Sequence, residues 1–444
     1  MGRCAVSTQK QKRPFALRAL AAFAGTLAIL FVLLLAAYAL PGERVRQHVY
    51  ASARTIQNEG LYPEYLGFKL FQMDNYTDTL MLFEAASADE LPPLQAMMTN
   101  TAYNVDNFET LADDLAWYIE KDWSTGAQRT DAPALEPFSY ARYWHGYLIW
   151  LRPLLLLMPY TGVRIVQYIV LFALLAVVLV QLRRRCGLRA AVWFAVSQLA
   201  VSVWFVPHQV QYFTCFMIAY AGCAWVLAKP RRSDVLCLGL LVLGTATAFC
   251  DLLVTPIITL GLPLTCWLLE PQQRLRGGVP QCALAVGSSL CWGTGYALCW
   301  AGKWALAGAV TGNNVLADAL HQAEVRTTAD TWHGMELTWR NIFGFLYDTL
   351  NSHHLFWPAL AVLAVLIALF ILSIRSKTAL VRALPLALTT CMTPAWFVLL
   401  RTHSIQHGWF TWRALGLTVF AGLAFLYYAC DLRAARRRLQ KGSI

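Results

Sequence analysis

Residues 163–182 read VRIVQYIVLFALLAVVLVQL and run straight into Arg183-Arg184-Arg185. An α-helix needs about 20 mostly apolar residues to cross about 30 Å of hydrocarbon, and cations grouped at its end hold that end at a charged bilayer face. The pattern recurs at 19–40, 188–206, 210–228, 235–250, 252–269, 279–300, 355–374, 383–400 and 414–430. Composition agrees. Of 444 residues, 58% are hydrophobic and 14% charged, against about 45–50% and about 25% in soluble domains. A single soluble globule, a disordered chain and a DNA-binding domain are excluded. The expected fold is an all-α polytopic membrane protein with about ten transmembrane helices, an outer re-entrant or interfacial helix and two long extracytoplasmic loops.

The net charge of +11 sits in short segments beside apolar runs, which is topology and anionic lipid rather than nucleic acid. The N-terminal tail carries Arg3, Lys10, Lys12 and Arg13, and the C-terminal tail carries Arg433, Arg436, Arg437, Arg438 and Lys441. Basic connectors lie at 183–189, 229–232, 274–276 and 375–382. Placing all of them with both termini in the cytoplasm requires an even number of crossings, and ten satisfies it. An eleventh at 143–160 would invert every later connector. That segment is also interrupted by Arg152, Pro153 and Pro159, so it is expected to lie on the outer side without crossing. The expected organisation is a tail and first helix (1–40), an outer loop with interfacial helices (41–160), helices (161–300), a second outer loop (301–353), further helices (354–430) and a basic tail (431–444). The 19–40 run is too long for a signal-peptide core and is read as an uncleaved anchor. None of the 12 cysteines lies in either long loop, so helix packing rather than disulfides is expected to hold the fold, and no spacing suggests zinc.

Of the chain's 25 acidic residues, 16 lie between Pro41 and Arg142. Within them stands Gln72-Met73-Asp74-Asn75-Tyr76-Thr77-Asp78. Asp74 and Asp78, four apart, share a face if helical. A carboxylate at a membrane boundary can act as general base for a hydroxyl, and an Asp before a helix also simply caps it. Asn75-Tyr76-Thr77 forms an accidental-looking glycosylation sequon. A second group, Arg142-Tyr143-Trp144-His145-Gly146-Tyr147 with Arg152, suits either an aromatic belt or a phosphate-binding set. A third runs from Arg401 to Arg413 and holds His403, His407 and Arg413. A lipid-linked phosphate or pyrophosphate fits it better than a metal, because no Glu follows in metalloprotease spacing. Weaker signals are His208, Gln211 and Asp251 at outer turns. Lys303, His321, Arg326, His333, Arg340, His353 and His354 in the second loop cannot be ranked.

Several of these parts together resemble the GT-C glycosyltransferases, in particular the branch of protein O-mannosyltransferases and lipid A aminoarabinose transferases. The parts are the basic anchor helix, Asp74-Asn75-Tyr76, the Tyr143–Leu148 start, Arg183 to Arg189 continuing into the next helix, Asp251-Leu-Leu-Val-Thr-Pro-Ile-Ile-Thr, and Phe410-Thr-Trp-Arg413. Members commonly have Asp-Glu where this chain has Asp74-Asn75, and His-Pro-Pro where it has Trp144-His145-Gly146. They also have a Lys in the turn that reads Val254-Thr255-Pro256 here.

The resemblance implies transfer of a sugar from a polyprenyl-phosphate donor to an extracytoplasmic glycan, lipid or protein acceptor. No other cofactor is implied. Asp74 would be the base, with Arg142, His145, Arg152, His403, His407 and Arg413 on the donor phosphate. Asp74, Arg142, His145, His403 and Arg413 are then expected to meet at one outward-facing cavity. Two other readings stay open: a membrane polysaccharide polymerase or ligase acting on a lipid pyrophosphate, and a lipid-linked sugar transporter or flippase.

Overall fold

The computed structural model describes residues 14–103 except 89, and 137–431 except 275, 277, 329–330, 333–334, 337, 352–353 and 355. The basic tail residues, Cys4, His333 and His353 lie outside the described residues. The described chain is predominantly helical. Seven helices are long and apolar enough to cross a membrane: Phe15–Tyr38, Tyr160–Cys186, Val210–Ala228, Ser233–Cys250, Gly278–Thr311, Lys377–Leu399 and Gly408–Ala429. Three expected spans appear as shorter apolar helices, Leu188–Ala200, Ile257–Leu268 and Phe356–Ala368. In the 188–206 run the helix gives way to an irregular turn at Ser202 (φ 55°) and a 3₁₀ segment over Val203–His208. In the 252–269 run, Asp251 to Thr255 form a turn before the helix begins. The segment 143–160 contains only the helix Leu148–Leu155, which at 1.5 Å per residue is about 12 Å long and too short to cross.

The long helices pack side by side, Ser233–Cys250 against Gly278–Thr311 and Lys377–Leu399 against Leu415–Ala429. Close approach depends on glycine: a Cβ on Gly244 would lie 2.1 Å from the Trp292 carbonyl oxygen, and one on Gly295 2.2 Å from that of Leu241. Small residues at such crossings are how helices associate in lipid. The 11 described cysteines are free thiols.

Between the first long helix and residue 103, the acidic stretch contains helices. Gly42–Glu59 is an amphipathic helix burying Val45, Val49, Ser52, Ala53 and Ile56, a helical spacing. Asn75–Ser87 and Pro93–Thr99 follow. Strand Thr101–Tyr103 pairs antiparallel with Pro137–Ser139.

The helix beginning at Gly278 runs on to Thr311 rather than ending at 300, and Val315–Thr328 and Trp339–Asn351 are helical. The cation that suggested a loop, Lys303, is fully buried. Its Nζ donates to the Met97 carbonyl (2.7 Å) and Asn100 Oδ1 (2.5 Å), so the buried amino group has acceptors although it lies inside a helix.

Lys303→Met keeps the apolar stem but strands both acceptors, at about 1–3 kcal/mol for a buried unsatisfied group. Its thermal midpoint in detergent should fall by several degrees, while Lys229→Met, at an exposed position, should match the parent. Equal midpoints for both variants would show that Lys303 does not hold the 97–100 turn.

Candidate functional site

A cavity of about 340 Å³ opens beside the start of the Asn75–Ser87 helix, walled by Asp74, Tyr76, Glu84, Gln406, His407 and Trp409 among others. That volume is at the small end of ligand pockets, about 300–1,000 Å³.

Asp74 is the N-cap of the helix. It accepts from the Thr77 amide (3.0 Å) and the Thr77 hydroxyl (2.9 Å). Burial raises its pKa, opposed by the Thr77 and Gln211 hydrogen bonds. Asp74 thus caps the helix and lines the cavity while itself nearly wholly buried (2% exposed). Asn75 is wholly buried, donating to the Gly60 carbonyl (2.8 Å) and accepting from Gln209 Nε2 (2.8 Å), so the sequon is closed to an oligosaccharide.

Asp78 points the other way. Its carboxylate accepts from the Tyr160 hydroxyl and from the amides of Val210 (3.1 Å) and Gln211 (3.4 Å). It thereby caps the Val210–Ala228 helix from a distant segment, and it is absent from the cavity lining.

Glu84 is a cavity residue that the sequence reading missed. Its carboxylate, nearly wholly buried, accepts from the Tyr147 hydroxyl, Asn100 Nδ2 (2.9 Å) and the Tyr38 hydroxyl (3.4 Å). It also lies 2.7 Å from His145 Nδ1. His145 Nε2 donates to the Tyr140 carbonyl (3.1 Å). Both ring nitrogens thus face oxygens, which fixes the ring between Glu84 and Tyr140. His145 adopts φ 56°, and the next residue is glycine for a steric reason. A Cβ on Gly146 would lie 2.5 Å from the Phe249 oxygen, to which the Gly146 amide donates at 2.8 Å. A proline here, as in His-Pro-Pro, would lose that bond and clash. The signal for Glu84 was present: a lone carboxylate in the apolar run Leu80-Met81-Leu82-Phe83-Glu84-Ala85-Ala86.

Arg142 lines a second, narrower cavity of about 120 Å³, walled by Tyr143, Trp300, Trp304, Trp396 and Leu400, with Arg326 as its other cation. The two cavities share a wall. Tyr140 lines the first and carries the Arg142 guanidinium 4.5 Å above its ring. Leu252 lines the first and its neighbour Leu253 the second. Arg142 pairs with Asp318 at 3.3 Å, and Asp318 is about half exposed (47%).

The remaining candidates serve the walls. His403 Nε2 donates to the Leu253 carbonyl (2.9 Å), steadying a residue at φ 68°. The His403 and His407 rings lie tilted at 58° to each other, 4.7 Å between centroids. Burial and then Arg326 depress His407 to about 4, and burial and His407 lower His403. Both are neutral at pH 7. Arg413 is buried over the Tyr212 ring (4.5 Å) and donates to the Trp409 carbonyl (3.1 Å). Arg152 donates to the Leu40 carbonyl (2.8 Å), at the end of the first helix. Asp251 accepts from the Val254 amide (3.1 Å), and burial raises it to about 6. His208 bonds the Tyr65 hydroxyl (2.9 Å), and burial and Arg164 lower it to about 4. Gln211 Nε2 donates to the Asp74 carbonyl (3.4 Å). Of the five residues expected to converge, Asp74 alone lines the larger cavity, and Arg142 lines its neighbour. Among the described residues no three His, Cys, Asp or Glu side chains group as metal ligands would.

Comparison with family models, with curated proteins and with solved structures yields no match.

Burial raises Asp78 to about 7, whereas a carboxyl in the unfolded chain titrates near 4. The folded chain therefore binds the extra proton between about pH 4 and pH 7. The stabilisation is complete below that window and is lost as pH rises through 7. Between pH 5.5 and 8 the thermal midpoint of the parent should fall more than that of Asp78→Asn. Parallel profiles would mean that Asp78 ionises freely.

Proposed function

We propose that the chain transfers a sugar from a polyprenyl-phosphate carrier to a hydroxyl acceptor, as the GT-C resemblance implies. The observation that carries this reading is the pairing of the two cavities. A polar chamber with an acceptor carboxylate, Asp74, adjoins an aromatic slot whose cations are Arg142 and Arg326. A lipid phosphate needs that combination: tryptophan faces for an isoprenoid, and guanidiniums for the phosphate. The Asp318 partner of Arg142 is no obstacle, because a half-exposed ion pair is worth only about 0–1 kcal/mol and a phosphate can replace it.

In this reading the acceptor oxygen attacks the anomeric carbon while its proton passes to Asp74. The bond from that carbon to the phosphate oxygen breaks, and its electron pair leaves on the polyprenyl phosphate. Arg142 and Arg326 balance the charge that develops there. Glu84 acts from behind, holding Tyr147 and His145. The neutral His403 and His407 offer no cation to a pyrophosphate, so the 401–413 cluster lends the polymerase or ligase reading little support.

The same reading assigns ten crossings, the seven long helices with the three shorter ones, both termini in the cytoplasm and the Asp74 cavity outside. Gly278 is unsuited to cysteine labelling, since a Cβ there would lie 1.7 Å from the Val381 oxygen. Cysteines at Arg184 and Arg232, with Cys186 replaced by Ala, should react with impermeant reagent only from the cytoplasmic side. Reaction from outside would invert the scheme.

Asp74→Asn preserves capping but removes the base, which is typically worth about 10²–10⁴ in rate. With a polyprenyl-phosphate sugar as donor, this variant should fold and lose transfer by about that factor, while Asp78→Asn should stay within a few-fold of the parent. Near-parental turnover by Asp74→Asn would remove the carboxylate from the chemistry.

A further inference from the structure

At the opposite end of the bundle lies a cavity of about 370 Å³ that the proposed transfer does not use. It is bounded by the Pro271–Arg274 turn and Arg276, the start of Gly278–Thr311, the start of Lys377–Leu399 and Tyr428. Four guanidiniums line it, those of Arg274, Arg276, Arg375 and Arg382, and no carboxylate does. None of the four makes an ion pair among the described residues. Glu270, the nearest acid in sequence, is held by Arg185 at 2.9 Å. Arg274 Nη1 donates to the Tyr428 hydroxyl (2.5 Å), and its Nε is buried without a partner. Gln281 is nearly wholly buried (4% exposed), and its Oε1 has no partner among the described residues.

Cations collected only to fix topology would be expected on separate exposed connectors. Here cations from two connectors, Arg274 with Arg276 and Arg375 with Arg382, line one cavity, Arg274 half-buried and the other three open to solvent. The convergence is built in, because Gly278 lets its helix meet the backbone at Val381, where a Cβ would lie 1.7 Å from the carbonyl oxygen. Like charges brought together without counter-charge repel one another, and a bound anion relieves that cost. The amide end of the 23-residue Lys377–Leu399 helix, with Ser376 as its cap (3.1 Å to the Ala379 amide), adds positive potential.

We propose that this cavity binds a phosphate-bearing anion carrying a neighbouring hydroxyl. The arginines take the phosphate oxygens, and Gln281 Oε1 accepts from the hydroxyl. Ala383 and Leu386 continue the cavity wall as an apolar surface, which would suit the chain of a lipid. An anionic phospholipid headgroup and a soluble phosphate compound share this chemistry.

The test uses the full chain in zwitterionic detergent or nanodiscs. Inorganic pyrophosphate is one probe, read by thermal midpoint. Phosphatidylglycerol against phosphatidylcholine is the other, read by native mass spectrometry. A rise in midpoint with pyrophosphate identifies a soluble phosphate, and selective retention of phosphatidylglycerol identifies the lipid; either supports the site. The double variant Arg274→Gln/Arg382→Gln should weaken binding of the active probe at least about tenfold, since each charge-assisted hydrogen bond is worth about a factor of ten or more. Thr378→Trp, which fills the mouth and leaves every charge, should abolish binding. The proposal is overturned if the parent binds neither probe, if Thr378→Trp binds normally, or if the control Arg183→Gln/Arg184→Gln loses as much as the site variant. The last result would reduce the effect to general surface charge.

Discussion

A carboxylate buried away from water must be surrounded by donors, and the outer half of this structure is arranged around one such group. Glu84 draws the Tyr38 hydroxyl from the end of the first helix, Asn100 from the turn after Pro93–Thr99, and His145 and Tyr147 from the 143–147 turn. Asn100 in turn accepts from Lys303 in the Gly278–Thr311 helix. One carboxyl group and one amino group, joined through an amide, hold five separate segments in register. Removing either strands the buried hydrogen-bonding partners of the group removed.

The cavity inherits its shape from that network. Glu84, Tyr140 and Tyr147 form one side, and Asp74 stands on the same helix at the end that faces the open space. Asp78, one turn on, fastens the helix to the bundle through the Val210 and Gln211 amides. The helix is therefore anchored by one aspartate while it presents the other. The charge distribution has a similar division. His145 and Arg413 are spent on protein carbonyls and carboxylates, whereas Arg142 and Arg326 line a cavity wall.

Much of the helical framework was legible because lipid imposes a simple rule: apolar runs of about 20 residues with basic ends. All seven long helices fall on runs read from the sequence. Failures occurred where burial was achieved by specific partners rather than by apolarity. The acidic count of 41–142 drew attention away from the helix face that Val45, Val49, Ser52, Ala53 and Ile56 spell. Lys303 read as a loop cation because its acceptors lie about 200 positions away in sequence. Asp74 was legible as a cap and as a candidate base, and it is a cap at a cavity. The contrast with Asp78 could not be read, since which of two carboxylates i and i+4 meets a foreign helix end depends on tertiary packing alone. Arg142 and Arg326 were visible as residues, but nothing local in the chain indicates that they flank the same tryptophans.

The central claim is that a lipid phosphate sits between the guanidiniums of Arg142 and Arg326, with its attached group opening toward Asp74. Cryo-electron microscopy of the chain in nanodiscs loaded with polyprenyl phosphate tests it directly. The account predicts phosphate density bridging the two arginines, with Arg142 released from Asp318 and the first isoprene against Trp300, Trp304 and Trp396. Density for the carrier elsewhere, with Arg142 still paired to Asp318 and the aromatic slot empty, would contradict it.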